Sequence, residues 1–251
     1  FFVVGIPGLF LALIVRFTLR EPPRGMAEGR VDSGEQPSIT ETFRYLWSKR
    51  TFRHMASGAA VITFVYAGVL TWVPSFLIRS YGMNTGEVGT YLGLILGVPG
   101  GVGIVLGGYL ADRFGRIDKR WYLWTVPVAQ VLALPFSIAV FMSDSAIASL
   151  LFLIIPVMIG NFYQATTFSQ TQGLVTLRMR SVAAAILLFI VSFIGMGLGP
   201  QIVGILSDLL QSTYGDDSLR YSLLILSFVN LWGAWHYYEA GKHLGDDLVT
   251  D

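Results

Sequence analysis

Six stretches of the chain carry no Asp, Glu, Lys or Arg: residues 54–78, 88–111, 121–143, 145–177, 181–207 and 221–238. A helix that crosses a bilayer needs about 20 mostly apolar residues, and each stretch reaches or nearly reaches that length. The overall balance agrees. Charged residues make up 13% of the chain and hydrophobic ones 53%, where a soluble domain carries roughly 25% charged residues. The pattern predicts an all-α polytopic membrane protein set in a lipid bilayer. Residues 1–15 form a seventh apolar run, which is short. No Met or basic region precedes it, as a signal peptide would require. It reads as a span cut open at its start, and the chain as a fragment from the C-terminal part of something longer.

Several function classes drop out early. The chain contains no cysteine, so a disulfide framework, a thiolate nucleophile and a Cys-ligated metal are all excluded. His54, His236 and His243 lack metal-ligand spacing, and no metal or cofactor is expected. A net charge of +1 argues against a nucleic-acid partner. The glycines at 101, 103 and 107 lie inside an apolar span at the wrong spacing for a dinucleotide fingerprint, and no phosphate-loop motif is present.

The basic residues alternate across the connections. Residues 16–53 hold eight Lys and Arg, the 112–120 loop four, the 176–181 loop two and the tail one, making fifteen of the 17 on one side. Arg79 and Arg220 fall on the other. The positive-inside rule makes the first side cytoplasmic, with the C-terminus inside. The organisation expected is a truncated span over 1–18, a cytoplasmic linker over 19–52, a six-span bundle over 53–241 and a cytoplasmic tail over 242–251. Within the linker, REPPRG at 20–25 ends the first helix, because Pro22 and Pro23 cannot continue it. Ser38 and Glu41 then form a capping box. Ile39, Phe43, Leu46 and Trp47 share one face of the helix that follows, which predicts an amphipathic helix lying at the interface.

The 88–111 run ends in a knot of charge: Asp112, Arg113, Arg116 and Asp118. Gly107, Gly108 and Gly115 leave bare backbone around it, and small residues let membrane helices approach closely. Asp112 stands at the C-terminal end of its helix, where the dipole disfavours an anion. Its support must come from Arg113 and Arg116, or from the positive N-terminus of another helix. The run that begins at Ser181, preceded by Arg178 and Arg180, starts on the same side. An acid docked there ties two helices together only while those ends are close, which makes it a latch. The alternative is an ordinary positive-inside loop with a capping acid.

GYLADRFGR at 108–116 resembles the signature loop of the major facilitator superfamily. RMRSVAAAI at 178–186, GPQIVGILSD at 199–208, REPPRG and the LTWVP run at 70–74 are similar to the spinster-like branch. The resemblance covers essentially the whole chain. It implies a partial major facilitator fold, namely span six plus the C-terminal six-helix bundle, in an integral protein of a bacterial inner (plasma) membrane. It also implies secondary active transport by alternating access between two six-helix halves. Gly108, Asp112, Arg113, Gly115 and Arg116 would then form a conformational lock favouring the outward-open state, with Arg178, Arg180 and Ser181 as its partners.

Transporters of this kind bind substrate near the bilayer midplane, and polar groups inside a span usually face the bundle interior. In IGNFYQATTFSQTQ at 159–172, Asn161, Gln164, Phe168 and Thr171 or Gln172 share one helical face. That face either lines a substrate cavity or holds the bundle together by hydrogen bonds. Tyr66, near mid-span, and Trp72, toward the outer end, are the next cavity residues; an aromatic belt is the alternative for Trp72. The Pro- and Gly-rich stretch at 98–108 predicts close helix packing. No acid or base lies mid-span, so a coupling ion (proton or sodium) would bind in the missing half. The solute expected is a small organic or lipid-like amphipath. The same topology also suits a seven-helix receptor or photoreceptor, although the last span has no Lys for retinal. No span carries the nucleophile–base or metal-ligand set of an enzyme.

Overall fold

The computed structural model describes residues 2–19 and 37–249, which form two units considered separately. The first contains one helix, α1 (Phe2–Thr18), with Pro7 inside it. The REPPRG stretch lies outside the described residues. The second unit is helical throughout, with no strand among the described residues: α2 (Ile39–Ser48), α3 (Arg50–Tyr81), α4 (Thr85–Gly115), α5 (Trp121–Met142), α6 (Ala146–Gly160), α7 (Phe162–Gly173), α8 (Arg180–Ile190), α9 (Gly197–Tyr214) and α10 (Ser218–Asp247). Backbone groups in hydrocarbon must be satisfied internally, and a helix does this within one segment. Five helical stretches are long and apolar enough to cross a membrane. The fifth, Leu177–Asp247, folds back at Gly215–Asp217, where Gly215 takes φ 54°. Its two legs pack against each other.

The capping box forms. The Glu41 N–H donates to Ser38 Oγ at 3.2 Å and the Ser38 N–H donates to Glu41 Oε2 at 2.8 Å. That backbone donor holds the Glu41 carboxyl below the usual carboxylate range. Leu46 of α2 is fully buried in the bundle core, while Ile39, Phe43 and Trp47 stay exposed, with Phe43 stacked on Trp47 at 5.5 Å. So α2 is anchored through Leu46 and the equally buried Thr42, and keeps an apolar surface outward.

Two segments carry local detail beyond the run lengths. The 145–177 run holds one membrane-length stretch, Ala146–Gly173, with a break at Asn161 that divides it into α6 and α7. Asn161 Nδ2 donates to the Val157 carbonyl at 2.9 Å, so the side chain takes the place that the displaced backbone N–H leaves. The presumed tail is helix as far as Asp247. The Asp247 carboxylate accepts the Thr51 N–H at 2.9 Å, capping the start of α3. The 181–207 run is continuous, with a widened turn at Val191–Met196 just ahead of Pro200. Such turns occur where a regular helix is interrupted.

Small residues set the helix spacing, as membrane packing favours. A Cβ on Gly199 would stand 2.3 Å from the Phe64 carbonyl oxygen, and one on Gly103 would stand 1.9 Å from that of Met158. Thus α9 lies against α3, and α4 against α6, with backbone touching backbone. The core has two parts. One, around Phe52, Met55, Leu123, Leu187 and Tyr237, lies toward the arginine-rich end of the bundle. The other, around Phe76, Phe141, Leu150 and Leu223, lies toward the far end.

Candidate functional site

A cavity of about 50 Å³ opens inside the bundle between α3, α5, α6 and α10. About 10–15 Å³ by this measure holds one water, so the cavity admits a few waters or one polar group of a larger solute. Most of its wall is apolar: Val65, Val69, Leu153 and Val157 among others. Its polar lining is Tyr66, Gln130, Ser137, Ser227 and Asn230. The Ser137 and Ser227 hydroxyls are taken up by the Ala133 and Leu223 carbonyls of their own helices, at 3.2 and 3.0 Å. The amides are different. Gln130 is 3% exposed, and neither its Nε2 nor Asn230 Oδ1 has a hydrogen-bond partner among the described residues. Leaving a buried polar atom unsatisfied costs about 1–3 kcal/mol. The cavity wall therefore carries two amides, one on α5 and one on α10, with hydrogen-bonding capacity left for a neutral polar group.

Of the residues expected from sequence to line a cavity, Tyr66 is on this wall, with its ring beside Gly160. Asn161, Gln164, Phe168 and Trp72 are not on it. Asn161 is buried and accepts from Gln164 Nε2 at 3.0 Å, so the two amides satisfy each other at the α6–α7 break. Phe168 packs against the core. Trp72 donates from Nε1 to the Pro200 carbonyl at 2.8 Å, tying α3 to α9 at the proline.

The polar face that α7 turns inward is offset from the expected one. It carries Tyr163, Thr166, Thr167, Gln170 and Thr171, all buried. Tyr163 Oη and Thr63 Oγ1 share a hydrogen bond of 2.7 Å, and Thr167 bonds both the Tyr163 carbonyl and the Tyr237 hydroxyl. This chain joins α3, α7 and α10 and satisfies its own members. Hydrogen bonding that holds the bundle together, the alternative reading of this segment, describes these residues.

Gln130 and Asn230 are not among the residues expected to line a cavity, although the sequence carries a signal for them. Each is a lone amide inside an otherwise apolar run, in VPVAQVLAL and SFVNLWG. Polar groups in spans are costly and mark interior faces.

In the charged loop, Asp112, Arg113 and Arg116 are exposed at the end of α4. The two glycines differ. A Cβ on Gly108 would meet the Ala165 methyl at an ordinary 3.7 Å, whereas one on Gly115 would stand 2.6 Å from the Tyr122 ring. Gly115 therefore seats the first turn of α5. Across the bundle, Arg178 is exposed in the turn Leu177–Met179, Arg180 is half-buried at the first position of α8, and Ser181 is exposed.

The family profile of the Major Facilitator Superfamily matches residues 1–200. An MFS-type efflux pump of Mycolicibacterium smegmatis is 35% identical over 207 residues, covering 82% of this chain and 48% of that protein. Protein spinster homolog 3 of Danio rerio is 26% identical over 266 residues, covering 97% of this chain and 52% of the relative. The crystal structure of a bacterial homolog of the human lysosomal transporter Spinster, inward-facing and unoccupied, superposes with a TM-score of 0.78 at 26% identity. It covers 99% of this chain and 59% of that one. The chain thus spans about half the length of the curated relatives it matches. A helical membrane bundle of this arrangement, matched by the family profile over most of its length, belongs to the Major Facilitator Superfamily, in its spinster-like branch.

Proposed function

We propose that the protein is a secondary active transporter of a small organic or lipid-like amphipathic solute, working by alternating access between two six-helix halves. Residues 53–241 form one of those halves. Three relations support the reading: the family, the half-length match to relatives described as an efflux pump and as spinster homologues, and the cavity. The cavity is the observation that carries it. Apolar walls with two amides in them suit a solute that is mostly apolar and bears an uncharged polar group. The family supplies no support for a seven-helix receptor. Fifteen of 17 basic residues on one side favour placing the linker, the 112–120 loop and the C-terminus in the cytoplasm. With no acid mid-span in this half, a coupling proton or sodium would be held elsewhere in the protein.

In this mechanism the amides act when the solute arrives. The cavity has room for a few waters, so the solute's polar group takes over the amide hydrogen bonds that water would otherwise make, and the solute's apolar part packs on the walls. Gln130→Leu and Asn230→Leu test this in proteoliposomes, with the flux of a panel of uncharged amphipaths as readout. Each variant should lose about tenfold in transport, the worth of one buried hydrogen bond, while its thermal stability holds or rises. Unchanged flux in both variants would overturn the assignment of the site.

A further inference from the structure

Where α3 begins and α10 ends, a second cavity, of about 280 Å³, is lined by Arg50, Arg53, His54, Ser57, His236 and His243. Two of these six carry permanent positive charge, three are imidazoles and none is acidic. The Nδ1 atoms of His54 and His236 lie 3.1 Å apart across the two helices. Glu239, the acid one turn along from His236, is ion-paired with Lys242 at 2.6 Å. The residues proposed to meet the transported solute do not include any of this group.

Beside it runs an apolar groove of about 520 Å³ between α5 and α10, lined by Trp121, Trp124, Pro127, Val131, Leu231 and Trp235 among others. Trp235 belongs to both places. Its ring meets His54 edge-on at 5.7 Å and His236 at 4.7 Å, and it also forms part of the groove wall. Trp232, Trp235 and Tyr238 are exposed on this surface, as aromatic residues are where a membrane protein meets the headgroup layer.

We propose that this pocket and groove form a binding site for an anionic phospholipid. The phosphate sits among Arg50, Arg53 and the histidines, and an acyl chain lies along the α5–α10 groove. Guanidinium groups suit phosphate oxygens, which they bind through two parallel N–H donors. Basic pockets between membrane helices on this kind of surface take anionic headgroups. The groove decides between a lipid and a soluble anion, because a free phosphate has nothing to place in it. A zwitterionic lipid brings its own ammonium group into a cluster of cations and is disfavoured. Bound this way, the lipid bridges the start of α3 to the end of α10.

Native mass spectrometry of the detergent-purified protein, titrated with phosphatidylglycerol or phosphatidylcholine, tests the site. Phosphatidylglycerol should bind at least about tenfold more tightly. The double variant Arg50→Gln/Arg53→Gln should lower its affinity about 25-fold, at about fivefold per arginine, while Arg50→Lys/Arg53→Lys keeps most of it. Thermal unfolding of both variants checks that the bundle is intact, and inorganic phosphate should not displace the lipid. Equal affinity for the two lipids, or an intact glutamine variant that binds phosphatidylglycerol as well as the parent, would overturn the proposal. So would displacement by inorganic phosphate, which would mark a site for soluble anions.

Discussion

Gly103→Ala will lower the thermal stability of the bundle by about 3 kcal/mol or more, with a matching fall in folded yield, whereas Gly101→Ala, two residues away, will behave as the parent does. A Cβ at position 103 would stand 1.9 Å from the Met158 carbonyl oxygen and 2.7 Å from its carbonyl carbon, both backbone atoms of α6. No side chain can rotate aside to relieve that contact, so the two helices must separate. Overpacking in a tight core costs about 1–3 kcal/mol, and occasionally more, where neighbours can adjust. Here the adjustment is a backbone shift, which places the cost at the upper end or beyond. Total stabilities are only about 5–15 kcal/mol. Separating α4 from α6 also opens the next contact, where a Cβ on Gly107 would stand 2.6 Å from Phe162 Cα. Gly101 has nothing within 4 Å of its Cβ position, so alanine there changes only helix propensity, by up to about 1 kcal/mol in favour. Thermal unfolding of detergent-purified protein, monitored by size exclusion, reads the difference. A Gly103→Ala bundle as stable as the parent would mean that α4 and α6 are not packed this closely.

Asp112→Asn should slow transport about tenfold while membrane insertion and folded yield stay unchanged. Asp112 is exposed at the C-terminal end of α4, where the helix dipole works against its charge. We infer that the aspartate remains because it has a partner in one conformation of the full transporter. Arg113, Arg116 and the Arg178–Ser181 turn are the groups proposed for that lock. Loss of one charge-assisted hydrogen bond is worth about 1.5–3 kcal/mol, so removing it shifts the balance of the two access states at least about tenfold. Asp118→Asn in the same loop is the control. Asp118 Oδ1 accepts the Arg120 N–H at 2.9 Å within its own turn, and its loss should leave the transport rate alone. Equal rates for Asp112→Asn and the parent would remove the latch.

Most of the architecture could be read from the sequence because it follows from one-dimensional facts. Charge-free runs of bilayer length, alternating basic loops and the Ser38–Glu41 box each need only local residues. The breaks within runs were harder. Asn161 interrupts a span because its own side chain can satisfy the Val157 carbonyl, a choice that apolarity does not signal. The tail continues as helix to Asp247, whose carboxylate accepts the Thr51 N–H of α3, a partner nearly two hundred residues away. The cavity shows the same division. Tyr66 could be found as a polar ring at mid-span. Asn161 and Gln164 share a helical face, but spacing alone does not tell whether two amides face a cavity or each other. Gln130 and Asn230 sit on different helices, and only the packing of α5 against α10 brings them to one wall.

These 251 residues contain no cysteine, and a background in which any cysteine encoded elsewhere in the complete protein is replaced permits one clean measurement of whether the cavity is reached alternately from both sides. Ser227 lines the cavity and is 3% exposed, so Ser227→Cys places a single, nearly isosteric thiol there. The protein expressed from its complete reading frame would be treated in sealed vesicles with a membrane-impermeant maleimide, added to one face or the other. The carrier account predicts that the thiol is modified from either face and that a transported solute slows both reactions. Modification from one face only, or from neither, would contradict alternating access to this site.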